Sequence, residues 1–381
     1  MKTRTAFVLS LTAILTLAAG SAFGKYSGGS GTAGNPYKIA TKTNLLALAA
    51  DTGDYNKCFI LTADINMTGQ VFSKAIIAPD TDPDISFMGT YFTGTFDGNG
   101  HKITNFTIKD SVNNSFIGLF GYILGGSVKN LGIENCSVSG YYYVGCLAGY
   151  NSDGNIINCY STGSVSGVSN SFSVGGLVGE SWGTISDCYA AGSVSGASGS
   201  FYVGGLAGQS NSDVSRCYTV SSVAADDRAG GLVGYNGGNI TNCYSAGLVS
   251  SPSGSACIGG LVAYNSSGII SKCYSMGLVS DTYFAGGLVG VSDGGSVVNS
   301  FWDANSSGQT ASAGGTGKTS AQMKTLSTFT SAGWDFIDTW GIIETQTYPY
   351  LITGLAGDLN NDKKVDFDDF AIFAANWLRG E

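Results

Sequence analysis

Apolar and polar positions recur along the chain with a long period. Leucines of Gly-Leu elements fall at Leu119, Leu147, Leu177, Leu206, Leu232, Leu261 and Leu288, spaced 28, 30, 29, 26, 29 and 27 residues apart. A second column, Cys159, Cys188, Cys217, Cys243, Cys273 and Ser300, comes after each leucine from Leu147 onward by 11 or 12 residues. From that column to the next leucine the chain takes 18 or 15 residues. One half of the repeat therefore has a nearly fixed length and the other absorbs insertions, as in a stacked rung with one variable loop. The segments are short, β-rich and broken by glycine, as in GTISDCY and GSVSG. A helical repeat would need apolar residues at i, i+3 and i+4. The pattern predicts one coil of a β-solenoid per repeat, with roughly three short strands and glycine at the corners. A single coil cannot bury its own inner face, so the chain rewrites one sentence many times.

Side-chain parity refines the coil. Ile156, Ile185, Val214, Ile240, Ile270 and Val297 form an apolar column that should point inward. The Cys column lies three residues later, an odd step, so both can face inside only if a corner intervenes. Between them stand Asn158, Asp187, Arg216, Asn242, Lys272 and Asn299, a mixture of charges and amides that reads as a solvated face. After each Cys comes Tyr160, Tyr189, Tyr218, Tyr244 or Tyr274, and finally Phe301, expected outside as a stacked ladder. The Cys column is expected to hold free, buried thiols, because stacked side chains point the same way and Cys is a good small core residue. Cys136 is expected at the ladder's edge, with Cys58 and Cys146 apart from it.

The VGGLVG and Cys-Tyr elements, over about Phe116 to Trp302, resemble the GLUG-motif repeats of bacterial secreted proteins. The upstream run ADINMTG…FTGTFDGNGHKITNFTI is similar to the start of right-handed parallel β-helix proteins of the pectin-lyase-like type. Such repeats occur in surface proteins and in the N-terminal regions of some IgA-cleaving metalloproteases. The resemblance implies an all-β, right-handed parallel β-helix and an extracellular compartment, and says little about activity.

Open sheet ends need covers. Asn44 to Ala50 reads as a short amphipathic helix at the N-terminal end, and Thr319 and Gln322 stand in capping-box spacing for another near the C-terminal end. Ser306 to Gly317 is a loop before it, and Trp334, Phe336 and Trp340 should pack over the last coil.

From Gly357 the composition changes. The run GDLNNDKKVDFDDF places Asp358, Asn360, Asp362, Asp366 and Asp369 at positions 1, 3, 5, 9 and 12 of a calcium loop, with the Lys364 carbonyl as a further ligand. Phe370, Phe373, Ala374 and Trp377 then mark one helical face. The segment resembles one half of a type I dockerin, which implies Ca²⁺ binding and a cohesin-type scaffold as partner. Lys363 where the loop prefers Gly, and Asp369 where it prefers Glu, depart from the pattern.

The organisation expected is a signal peptide at 1–24, an N-terminal cap with the first coils at 25–115, GLUG-type coils at 116–302, a C-terminal cap at 303–354, and the dockerin-like segment at 355–381. Lys2 and Arg4 precede an apolar run and small residues, so cleavage is expected after Ala22 or Gly24. No later segment is apolar enough to span a membrane. Removing those two cations leaves 16 basic against 27 acidic residues, a charge of −11, which argues against nucleic acid or anionic membrane as partner. The 58 glycines show no every-third period, which excludes collagen, and 43% apolar residues suffice for a core.

Catalytic chemistry is hard to place. Asp153, Asp187, Asp213 and Asp293 are isolated, and Asp226-Asp227-Arg228 lies in the variable half of its repeat. His101, the single histidine, reads as a corner residue in DGNGHKI. Fold analogy does not supply activity. The Tyr160, Tyr189, Tyr218, Tyr244, Tyr274 column has two readings, a ladder that stiffens the solenoid or a platform for glycan rings. The expected function is surface binding or adhesion by a secreted, non-catalytic protein. The alternative is a carbohydrate-active component, a polysaccharide lyase or glycoside hydrolase if an enzyme, delivered through the dockerin-like tail.

Overall fold

The computed structural model describes residues 24–82, 86–109, 114–252, 257–280 and 284–352. Short strands stack in parallel, one per coil on each side. The first side is a ten-stranded sheet running from Tyr37–Ile39 to Ser296–Val298. Its central column, Phe59, Phe96, Val128, Ile156, Ile185, Val214, Ile240, Ile270 and Val297, is in register throughout. The second side holds seven strands, from Phe120–Leu124 to Val289–Ser292, one for each repeated leucine. The third side carries the tyrosine column, then the column Val138, Val165, Val194, Val223, Val249, Val279. The protein is thus a parallel β-solenoid with about seven turns carrying the repeated leucines and additional rungs upstream. The leucines, cysteines and apolar columns form one continuous core.

The expected corner is present. Asn158, Asp187, Arg216, Asn242, Lys272 and Asn299 all have left-handed backbone, with φ of 51°, 57°, 49°, 54°, 53° and 48°. One left-handed residue turns the chain so that the Ile/Val and Cys columns both face inside despite their odd spacing. Asn and Asp tolerate this conformation better than other side chains. They also link rungs: Asn130 donates to Asp97 at 3.0 Å, Asn158 donates to Asn130 at 2.9 Å, and Arg216 pairs with Asp187.

The repeated Gly-Gly has a different cause, close approach of neighbouring backbones. A Cβ on Gly205 would lie 2.1 Å from the Gly231 carbonyl oxygen, and one on Gly204 would lie 1.9 Å from the Ala207 carbonyl oxygen. No side chain fits there without moving a rung.

Near the N-terminal end, α1 (Lys42–Ala50) begins two residues before the expected start, because the Thr41 side chain accepts the Asn44 amide and caps it. Its Leu45 and Leu48 join the core. Towards the C-terminus, Thr319 and Gln322 exchange hydrogen bonds of 3.2 and 2.9 Å, the reciprocal pattern of a capping box. The box opens only a single 3₁₀ turn, Gln322–Lys324, and α2 (Leu326–Thr330) comes after it.

Two expectations need correction. Cys136 does not join the cysteine ladder; it is disulfide-bonded to Cys146. Cys136 pairs in register with Gly163, and Leu131, three residues after Val128, takes the ladder position preceding Cys159. The aromatic C-terminal segment does not simply sit on the last coil. It folds back along the side of the solenoid, so that the Trp340 indole donates to the Asn242 side chain at 3.3 Å and the Trp334 indole to the Asn299 carbonyl at 2.8 Å.

Candidate functional site

The tyrosine column forms a ladder whose geometry narrows what it can do. Tyr160, Tyr189, Tyr218, Tyr244 and Tyr274 stack with centroids 4.9, 4.9, 4.9 and 5.1 Å apart and interplanar angles of 1°, 11°, 4° and 8°. Parallel rings at the rung spacing present their faces to each other. At one end Tyr160 lies over Gly132, where a Cβ would come within 2.5 Å of the ring, and its hydroxyl donates to Glu134 at 2.8 Å. At the other end Tyr274 is 1% exposed beneath Trp334, Trp340 and Tyr348. Tyr274 is therefore not on an open face, and Tyr244 packs against Trp340. The open part is Tyr160, Tyr189 and Tyr218, half-buried, showing ring edges and hydroxyls rather than faces. That arrangement stiffens the solenoid and leaves little area for stacking a sugar ring.

Sequence reasoning missed a second aromatic surface. On the second sheet, Tyr122, Tyr150, Glu180, Gln209, Tyr235, Tyr264 and Val291 stand in register on successive coils. A flanking corner column runs through Phe116, Tyr143, Ser173 and Tyr202, all with left-handed backbone. Here several ring pairs are tilted or perpendicular: Tyr143 and Tyr150 meet at 84°, Phe172 and Tyr202 at 76°, Tyr202 and Tyr235 at 57°. Arg228 lies 5.2 Å from the rings of both Tyr202 and Tyr264 and pairs with Asp227 at 3.2 Å. The signal was scattered in sequence because the members come from both halves of the repeat and three positions of the column, Glu180, Gln209 and Val291, lack an aromatic residue.

Two of those positions, Glu180 and Gln209, are polar and adjacent. Glu180 is 5% exposed and accepts the Trp182 indole hydrogen at 2.6 Å, with longer contacts of 3.5 Å from Ser173 and Asn211. Burial holds its carboxyl above the usual range, against the lowering effect of the Trp182 and Ser173 hydrogen bonds. Its charge in turn helps burial to raise the neighbouring phenols, that of Tyr143 to about 12.

The remaining acids are occupied or single. Glu134 pairs with Lys102 at 3.0 Å, Asp97 with Lys129 at 3.4 Å, and Asp187 with Arg216. His101 sits beside Asp64 at 3.1 Å, and Asp226-Asp227-Arg228 is a loop. Among the described residues no three His, Cys, Asp or Glu gather as a metal site. The calcium-loop residues Asp358, Asn360, Asp362, Lys364, Asp366 and Asp369 lie outside the described residues. No described helix is long and apolar enough to cross a membrane.

Residues 140–166, 170–195 and 227–250 match the family model described as the GLUG motif. A stretch of 153 residues, 40% of this chain, is 33% identical to 2% of Halomucin from Haloquadratum walsbyi. Another comparison aligns 121 residues at 39% identity, 29% of this chain and 14% of a candidate Gly-rich membrane protein of Evansella cellulosilytica. The chain thus spans a small fraction of the length of these relatives. In structure, 86% of the chain superposes on 95% of a candidate immunoglobulin A1 protease from Bacteroides ovatus, with TM-score 0.57 and 24% identity. That likeness shows the fold alone. The chain carries GLUG-motif repeats on a parallel β-solenoid.

Proposed function

We propose that this is a secreted, non-catalytic solenoid that binds other molecules at the cell surface, an adhesion-type function. The observation that carries this reading is the in-register stacking of seven coils, which holds aromatic groups at fixed intervals along the sides of a rigid body. The relatives' names support a surface setting, and the Cys136–Cys146 disulfide suits an oxidising compartment. Glycoside hydrolysis needs two carboxyl groups flanking the scissile bond. Glu180 is a single buried acid, which favours binding over cleavage.

The acidic run at 358–369 supports a further part of this reading, that the tail takes one Ca²⁺ and docks a cohesin-type scaffold. The oxygen-rich spacing suits a hard cation, and gathering so many carboxylates is unfavourable without one. In that setting the second reading applies, a carbohydrate-active component tethered through its tail.

The test is retention of the full-length mature protein on isolated bacterial cell-wall polysaccharide and on cell-surface protein fractions. Retention on either supports the binding reading, and retention on none sinks it. Release of new reducing ends or unsaturated sugars from polygalacturonate would replace it with an enzymatic one. Calorimetric titration of the intact chain with calcium, repeated on Asp358→Ala/Asp362→Ala, tests the tail. Heat in the parent and none in the variant is expected, and no heat at millimolar calcium removes both metal and dockerin readings.

A further inference from the structure

One rung of the second aromatic surface departs from its neighbours in a way the fold does not require. The position occupied by Glu180 holds Tyr150 on the preceding coil, Gln209 and Tyr235 on the next two, and Val291 further on. The lattice therefore accepts aromatic, amide and aliphatic side chains there. A buried carboxylate without a cation is costly, and none of the ion pairs among the described residues includes Glu180.

Trp182 is equally unusual. It comes directly after Ser181, which stands in register with Asn151, Ser210, Asn236 and Asn265; the residues next to those are Ser152, Asn211, Gly237 and Ser266. Its indole is the one large ring at that position and is 50% exposed. The 2.6 Å bond to Glu180 fixes its orientation. That bond occupies Oε1, whereas Oε2 receives only the 3.5 Å contact from Ser173 and retains capacity to accept.

We propose that Trp182 and Glu180 form a binding subsite for a neutral oligosaccharide lying along the solenoid. The exposed indole offers a face for the apolar side of a sugar ring, and the carboxylate accepts its hydroxyl hydrogens. Tyr122 and Tyr150 on one side and Tyr235 and Tyr264 on the other repeat aromatic contacts at the rung spacing of about 4.8 Å. A polymer of like units matches such a repeating surface better than an irregular protein epitope does. Glu180, with Asp153 on the adjacent rung and a formal charge of −9 for the chain, disfavours an anionic polysaccharide. The site deepens the binding reading above and differs from the tyrosine ladder, whose ring faces are already used.

The experiment titrates the full-length mature protein by calorimetry with hexasaccharides of β-linked glucose, xylose and mannose, and with oligogalacturonate as the anionic contrast. At least one neutral hexasaccharide should bind. Trp182→Ala should weaken it about tenfold or more, from the contact area removed. Trp182→Phe should retain part of the affinity, and Glu180→Gln should weaken it several-fold. Tyr189→Ala/Tyr218→Ala should bind as the parent does, and unchanged circular dichroism checks folding of every variant. The proposal is overturned if no neutral hexasaccharide binds at millimolar concentration, if oligogalacturonate binds best, or if both Trp182 variants bind like the parent. If the protein is retained on cell-wall polysaccharide or surface protein while these titrations fail, the subsite falls and the broader binding function stands.

Discussion

Tyr274 donates its phenolic hydrogen to the carbonyl of Pro349, 75 residues downstream and 2.5 Å away. The ring that closes the tyrosine ladder is thereby held by the segment that covers it. Trp340, fully buried, lies 6.1 Å from Tyr274 and 6.2 Å from Tyr244. Trp340→Ala should cost about 3–5 kcal/mol, as for other buried Trp truncations. Because this aromatic cluster is separate from the main core, the loss should be local. Limited proteolysis should cut within residues 331–352 while the β-sheet circular dichroism persists. Loss of the whole sheet signal in one step with that cleavage would show instead that the segment and the solenoid unfold as one unit.

The Gly-Gly element makes a sharp contrast between two glycines. A Cβ on Gly205 would sit 2.1 Å from a backbone oxygen of the next coil, whereas one on Gly34 would meet nothing within 4 Å. Gly205→Ala should destabilise by about 3 kcal/mol or more, since a backbone neighbour cannot swing aside as a side chain can. Gly34→Ala should be close to neutral. Equal denaturation midpoints for the two variants would contradict the close approach.

Glu180 also gives a signed prediction for stability. Burial raises its folded-state pKa above the unfolded value. For an acid this favours the protonated folded form. Its contribution is fully present below the unfolded carboxyl pKa of about 4.3 and is lost as pH rises through the folded value. Glu180→Gln should therefore raise the melting temperature at pH 7 and give no such gain near pH 4. A lower melting temperature for the variant at pH 7 would mean that the ionised carboxylate stabilises the fold.

Much of the solenoid was legible because a coil must repeat what it cannot bury alone. The parity of Ile156 against Cys159 even located a corner, and Asn158 supplies the left-handed residue that makes it. Arg216 and Lys272 occupy the same left-handed position without the local preference of Asn, so residue type alone would not have marked it. The rungs at Phe59 and Phe96 lack the Gly-Leu and Cys marks; the sequence offered first coils somewhere in 25–115, and only the register fixes these two positions. An inner ladder at another corner was missed altogether. Asn236 is fully buried, donates to the Gly238 carbonyl and the Asn265 side chain at 2.8 Å each, and thereby satisfies a turn from within. A polar residue in that place reads as solvent-facing when only alternation is considered. The Trp182–Glu180 pair was equally hidden, because its meaning lies in what occupies the same position on other coils.

The cysteines combine burial, redox state and pH in one measurement. Cys159, Cys188, Cys217, Cys243 and Cys273 are free and buried, Cys58 and Cys257 are free and half-buried, and Cys136 and Cys146 are bonded to each other. Along the column each amide donates to the next sulfur at 3.3 or 3.4 Å, ending on the Ser300 hydroxyl at 3.1 Å. A thiol reagent should therefore find Cys58 and Cys257 in the native protein and all seven free thiols in denaturant before reduction. Fewer than seven in denaturant would mean further disulfides. Burial also pushes the thiols of Cys188, Cys217 and Cys243 well up. Their folded pKa values thus exceed the unfolded thiol value of about 8.5, so their contribution is intact below that pH and declines as pH rises above it. Denaturation midpoints should fall between about pH 8.5 and 10, and replacing these three cysteines by alanine should make the fall shallower. The tyrosines titrate in the same range, so the difference between parent and variant isolates the thiols. An identical fall in both would show that these thiols titrate alike in the folded and unfolded protein, and that burial does not raise them.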